Sequence, residues 1–149
     1  MNILVHAVSL WKRFKQARSD LATRVQTRAE AGHPNAQFTL GERYYDGQGV
    51  PQDQSEAFHW VLLAAEGGHV RARTNVGMML CVGRGAEKDG VEGFKWIHLA
   101  AEQGDANAIA TRETLRKRLP PEQIAEALKR AAAYPTPDSS SKDSDRQTR

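Results

Sequence analysis

One cysteine, Cys81, occurs in the 149 residues. No disulfide framework within the chain is available, and a reducing compartment is expected. No stretch approaches the roughly 20 apolar residues that a membrane span needs. β-Branched runs bounded by turn residues are nearly absent, which argues against a sheet. A secretory signal places its charge before a longer apolar core. Here the short apolar run of "MNILVHAVSLWKRFKQAR" precedes Lys12, Arg13, Lys15 and Arg18. The order is reversed, so no signal peptide is expected unless the chain begins further upstream, and the expected location is the cytoplasm.

Catalytic and ligand motifs are missing as well. The five histidines (His6, His33, His59, His69 and His98) form no H-x-x-x-H pair, so no metal site is expected. No cofactor is implied. Cys81 has no sequence signature of a nucleophile and reads as structural. Without a paired acid and base, or a nucleophile with its base, the chain is not expected to be an enzyme.

What is present is helix-forming: Ala, Leu, Glu, Lys and Arg are common. Charge is segregated. Residues 1–28 carry a net +5, residues 29–111 a net −5, residues 112–130 a net +3, and the last 19 are neutral. The basic balance therefore belongs to the ends. A nucleic-acid binder would be expected to show a basic stripe across its body.

Sliding the sequence by 36 residues aligns His33 with His69, Ala36 with Ala72, Gly41 with Gly77, Gly47 with Gly83, Gly49 with Gly85, and Asp53 with Asp89. Further on it aligns Glu56 with Glu92, Phe58 with Phe94, Trp60 with Trp96, Leu63 with Leu99, Ala64 with Ala100, Ala65 with Ala101, Glu66 with Glu102, and Gly68 with Gly104. Fourteen of 36 positions match without a gap, where chance gives about one in fifteen to twenty. A fixed period of this size marks a repeat architecture.

Each unit reads as two helices. Helix A covers 35–46 and 71–82, with Ala36, Leu40 and Tyr44 on one stripe. Gly41 costs such a helix about 1 kcal/mol, so close packing is expected there. Gly47 and Gly83 read as left-handed caps. Helix B covers 54–67 and 90–103. Asp53-x-x-Glu56 and Asp89-x-x-Glu92 read as capping boxes, and Ala57, Trp60, Val61 and Ala64 form its buried face. Gly68 and Gly104 end helix B, with His33 and His69 at the junctions. The Gly-x-Gly loops follow a helix and lack Gly-Lys-Ser/Thr, so they read as turns and not as phosphate cradles.

The expected organisation is 1–32, an amphipathic helix and a degenerate capping helix; 33–68 and 69–104, two repeats; 105–134, a C-terminal capping pair with Pro121 at N1; and 135–149, a disordered tail. The first helix, 3–17, puts Leu4, Ala7, Val8, Trp11 and Phe14 on one face. That face is expected to cover the end of the first repeat; the alternative is that it lies on an anionic membrane.

The residues Ala36, Leu40, Gly41 and Tyr44, then Gly47, Gly49, Val50 and Asp53, then Ala57, Trp60, Ala64, Ala65 and Gly68 resemble the Sel1-like repeat closely. The second unit departs at Val76, Leu80, Ala86 and Gly93 and keeps the rest. The resemblance covers 33–104 and extends to 105–133 as a cap. It implies an all-α, TPR-like, right-handed α/α superhelix of helix pairs with capping helices at both ends. It also implies protein–protein scaffolding without a reaction, often in bacterial envelope, stress or virulence settings.

In TPR-like stacks helix A lines the concave groove. Phe38, Glu42 and Tyr45, with Thr74, Met78 and Cys81, then Ala110, Thr114 and Lys117, are therefore expected to bind a protein or peptide partner. No small-molecule substrate is expected. The alternative function is an adaptor that meets an anionic membrane surface or nucleic acid through the basic N-terminal helix.

Overall fold

The structure, a computed structural model, describes residues 3–135, with side chains described at 8–16 and 20–135. The tail expected to be disordered lies, from residue 136 on, outside the described residues. Among those described the chain forms helices and no strand. They are α1 (Ile3–Glu30), α2 (Pro34–Asp46), α3 (Gln54–Glu66), α4 (Val70–Val82), α5 (Gly90–Glu102), α6 (Ala106–Arg116) and α7 (Pro121–Ala133). Each packs on its successor from α1 to α6, and α7 returns to pack on α5. This is an α/α solenoid of stacked helix pairs. Helices α6 and α7 both lie chiefly on α5 and close that end.

The ends of the helices follow from local chemistry. Asp53 starts α3 by accepting from the backbone N–H groups of Ser55 and Glu56 at 2.9 and 3.0 Å. Asp89 accepts from Glu92 N–H at 2.9 Å to start α5. The reciprocal half of a capping box does not form. The backbone N–H groups of Asp53 and Asp89 donate instead to the carbonyls of Tyr44 and Leu80, at 2.9 and 3.0 Å. Those carbonyls end the preceding helices, so the bond ties helix A to helix B across the loop. Glu92 is then free to pair with Lys95 and Arg130.

Gly32, Gly68 and Gly104 occupy equivalent turns with φ near +87° (+87, +89 and +86), a conformation that favours glycine. The first of them ends α1, so the last turns of α1 behave as a helix B. A buried side chain repeats that equivalence. Gln37 Nε2 donates to the Ala29 carbonyl at 3.2 Å. Arg73, 36 residues on, donates through Nε to the Ala65 carbonyl at 3.1 Å. Each adds a second bond to a carbonyl near the C-terminus of the preceding B helix that also accepts from the Gly32 or Gly68 N–H.

The close packing expected at Gly41 is present in both repeats. A methyl group on Gly41 would lie 2.5 Å from Val61 Cγ2, and one on Gly77 would lie 2.6 Å from Ile97 Cγ1. The interior follows the helix pairs. Ala57, Val61, Ala64 and Ala65 are buried on α3, and Phe94, Trp96, Ile97, Ala100 and Ala101 on α5. Trp60 is half-buried against Ala29, Ala36 and Leu40. Trp96 is buried more deeply, edge-on to the ring of Tyr134 at 5.2 Å after α7.

At the N-terminus α1 is one uninterrupted helix of 28 residues, not a helix over 3–17 followed by a second one. Val25 and Ala29 pack against Ala36 and Leu40 of α2. Val8, Trp11 and Phe14, expected to cover the first repeat, are instead exposed. The reason is length: at 1.5 Å per residue α1 spans about 42 Å and the 13 residues of α2 about 20 Å, so the N-terminal half of α1 overhangs its neighbour. The side chains of Leu4 and Ala7 lie outside those described.

Candidate functional site

Between neighbouring A helices α2 and α4 lies a groove of about 470 Å³. From α2 it takes Gly41, Glu42, Tyr45 and Asp46; from α4, Asn75, Met78, Met79 and Val82; Val61 of α3 and Arg84 complete it. The apolar part is Tyr45, Val61, Met78, Met79 and Val82. Val82 and Met78 are solvent-facing, at 66% and 42% exposure. Glu42 and Asp46 are exposed and carry negative charge. At one end the Arg84 guanidinium bonds the Tyr45 hydroxyl and lies over its ring at 5.6 Å from the centroid. Such a surface suits an apolar anchor flanked by positive charge.

Three residues expected at a partner site, Glu42, Tyr45 and Met78, lie in this groove. Phe38 and Thr74 do not. Phe38 is buried and stacks on the His69 ring at 4.3 Å. Thr74 is buried and its hydroxyl donates to Asp105 Oδ1 at 3.1 Å. These are one contact made twice: the same position of each A helix grips the residue that caps the next A helix. His69 Nδ1 accepts from Ala72 N–H at 3.1 Å, and Asp105 Oδ1 from Ala108 N–H at 2.7 Å. Helix A packs against the preceding B helix and, more extensively, against the B helix of its own repeat, and its N-terminal half meets the cap of the next A helix, so more than one stripe of it is buried.

Cys81 also turns away from the groove. It is half-buried towards α5, where a methyl on Gly93 would meet its Sγ at 2.6 Å. Burial raises its thiol pKa, opposite to what a thiolate nucleophile needs. Thr114 and Lys117 are exposed on and after α6, outside the groove; the Thr114 hydroxyl donates to the Ala110 carbonyl at 3.1 Å. Sequence reasoning missed Asp46, Asn75, Met79, Val82 and Arg84. The spacing Asn75, Met78, Met79, Val82 (i, i+3, i+4, i+7) is a helix-face signal that would have found most of them.

Burial lowers the pKa of His69, helped by the nearby Arg71 charge. Burial likewise lowers that of His98, with Glu102 opposing and Arg112 and Arg116 adding to the fall. Among the described residues no group of three or more His, Cys, Asp or Glu side chains is placed to hold a metal ion. Nor is any described helix long and apolar enough to cross a membrane.

The family model of the Sel1 repeat matches residues 34–69 and 70–105, each one residue later than the 36-residue units read above. A search of curated proteins by sequence finds no match. Among solved structures the chain is similar to a protective antigen present in uropathogenic Escherichia coli strains that displays an SLR fold. The identity is 29% and the TM-score 0.71, over 74% of this chain and 24% of that one. It is also similar to a Sel1 repeat protein from Oxalobacter formigenes, with 32% identity and a TM-score of 0.60 over 61% of this chain and 26% of the other. This chain thus spans about a quarter of the length of either. Sel1-repeat proteins generally act by binding other proteins and not by catalysis. With two tandem matches on a helical solenoid, residues 34–105 of this chain are two Sel1 repeats.

Proposed function

We propose that the chain is a non-enzymatic interaction module and that the α2–α4 groove docks a peptide segment of another protein. The segment carries a large apolar side chain for the Met78–Val82 wall and a Lys or Arg for Glu42 and Asp46. The observation that carries this reading is the exposed Met78 and Val82 beside Tyr45 in a groove of about 470 Å³. That volume lies within the range of about 300–1,000 Å³ typical of sites for small ligands. Methionine and tyrosine suit such a surface: the first adapts its shape, and the second offers apolar area with a polar tip.

A peptide library displayed on phage tests the proposal. Peptides selected on the wild-type chain are expected to share an apolar anchor next to a basic residue. Their affinity for a Tyr45→Ala, Met78→Ala variant is expected to fall by about tenfold or more, the loss typical of removing an interface anchor. Equal affinity for the variant would remove the groove from the account.

A further inference from the structure

The N-terminal half of α1 presents apolar and basic side chains to solvent. Val8, Leu10, Trp11, Phe14 and Leu21 are 50 to 62% exposed. Leu10 and Phe14 stand one turn apart on the overhang with Trp11 near them, whereas Leu21 lines a hollow with Val25 and with Ala36 and Thr39 of α2. At 100° per residue Leu10 and Phe14 are turned about 60° from Val25 and Ala29, the residues that meet α2. Leu10, Trp11 and Phe14 lie on the overhang, where α2 does not reach, so a flat surface could cover them without displacing it. No acidic residue precedes Asp20, and Lys12, Arg13 and Lys15 lie on the exposed overhang. Lys15 Nζ sits 5.3 Å from the Trp11 ring centroid, so its charge lies at the edge of the apolar line.

We propose that the overhanging half of α1 lies in the surface of an anionic bilayer, with Leu10, Trp11 and Phe14 among the acyl chains and Lys12, Arg13 and Lys15 at the headgroups. Charge complementarity selects this occupant. Residues 1–28 carry +5 and residues 29–111 carry −5, so an anionic surface attracts the helix and repels the solenoid body. A second α1 would bring like charge. The groove of a second copy holds Arg84 beside Glu42 and Asp46, so it offers the basic helix less negative charge than an anionic surface does. An apolar line with a tryptophan and basic flanks is the pattern of helices that lie in the interface.

Co-sedimentation of the full chain with vesicles tests this, comparing phosphatidylcholine alone with phosphatidylcholine containing a quarter phosphatidylserine. The expected result is partition onto the anionic vesicles at least about tenfold stronger than onto the neutral ones, weakening as salt rises. Two variants, Trp11→Ser with Phe14→Ser and Lys12→Gln with Arg13→Gln and Lys15→Gln, are each expected to reduce partition by about tenfold or more. Both alter exposed residues, so an unchanged melting temperature confirms that they fold. The groove variant Tyr45→Ala, Met78→Ala is expected to partition as the wild type does, which separates this proposal from the peptide groove. Failure of the wild type to pellet with anionic vesicles overturns the proposal. So does a dimer that Trp11→Ser, Phe14→Ser dissolves, or retention on duplex DNA in place of vesicles.

Discussion

Phe38 and His69 show how single residues hold this repeat together. Their stacked rings join α2 to the cap of α4, and the His69 ring is also that cap. Phe38→Ala empties a buried site and is expected to cost about 3–5 kcal/mol, read by urea denaturation. A loss below about 1 kcal/mol would mean that the stack is dispensable. The histidines also set a pH dependence. His69 and His98 bind a proton less readily in the folded chain than in the unfolded one, whose imidazoles titrate near 6.5. Protonation therefore favours unfolding: this stability is present above about pH 6.5 and is lost as pH falls through the lowered folded values. Melting temperature is expected to be level from about pH 8 to 7 and to fall below about 6.5, before most carboxylates titrate. His69→Asn keeps a capping side chain without the titration and is expected to flatten part of that fall. An identical profile in the variant would assign the dependence elsewhere.

At the level of elements, two equivalent turns have different surroundings. Gly49 and Gly85 both have positive φ, +77° and +74°. Space around Gly49 is open, whereas a methyl group on Gly85 would lie 2.1 Å from the Gln54 carbonyl oxygen at the start of α3. The second loop rests on the first repeat, and the first loop has no repeat beneath it. Gly49→Ala is expected to cost about 1–2 kcal/mol through backbone strain, and Gly85→Ala about 1–3 kcal/mol more through the clash. Equal midpoints in urea would contradict this contact between repeats.

The same elements show what the sequence made legible. Helix boundaries and Asp caps could be read because the 36-residue period supplied each signal twice. The continuity of α1 was legible too, since residues 3–30 contain neither glycine nor proline, but the apolar and basic clusters invited a division near residue 18. The burial of Phe38 and Thr74 was not legible. It depends on how far the next A helix rotates over the last, a property of the stack and not of either helix. For the same reason periodicity exposes the Asn75–Val82 face but does not say that Glu42, Tyr45 and Asp46 stand opposite it.

Across the whole molecule, charge and shape are divided along the chain. A basic amphipathic helix overhangs one end, an acidic solenoid carries the groove, and α7 folds back on α5 at the other end. The proposals for the groove and for α1 use different residues, so each fails or stands separately. The central claim is that the α2–α4 groove is the partner-docking surface. Backbone amide NMR of the full chain, titrated with a peptide selected on it, tests that claim most directly. The account predicts that the largest shifts fall at Glu42, Tyr45, Asp46, Asn75, Met78 and Val82, with those of residues 8–21 unchanged. Shifts confined to α1, or to α6 and α7, with the groove silent, would contradict it.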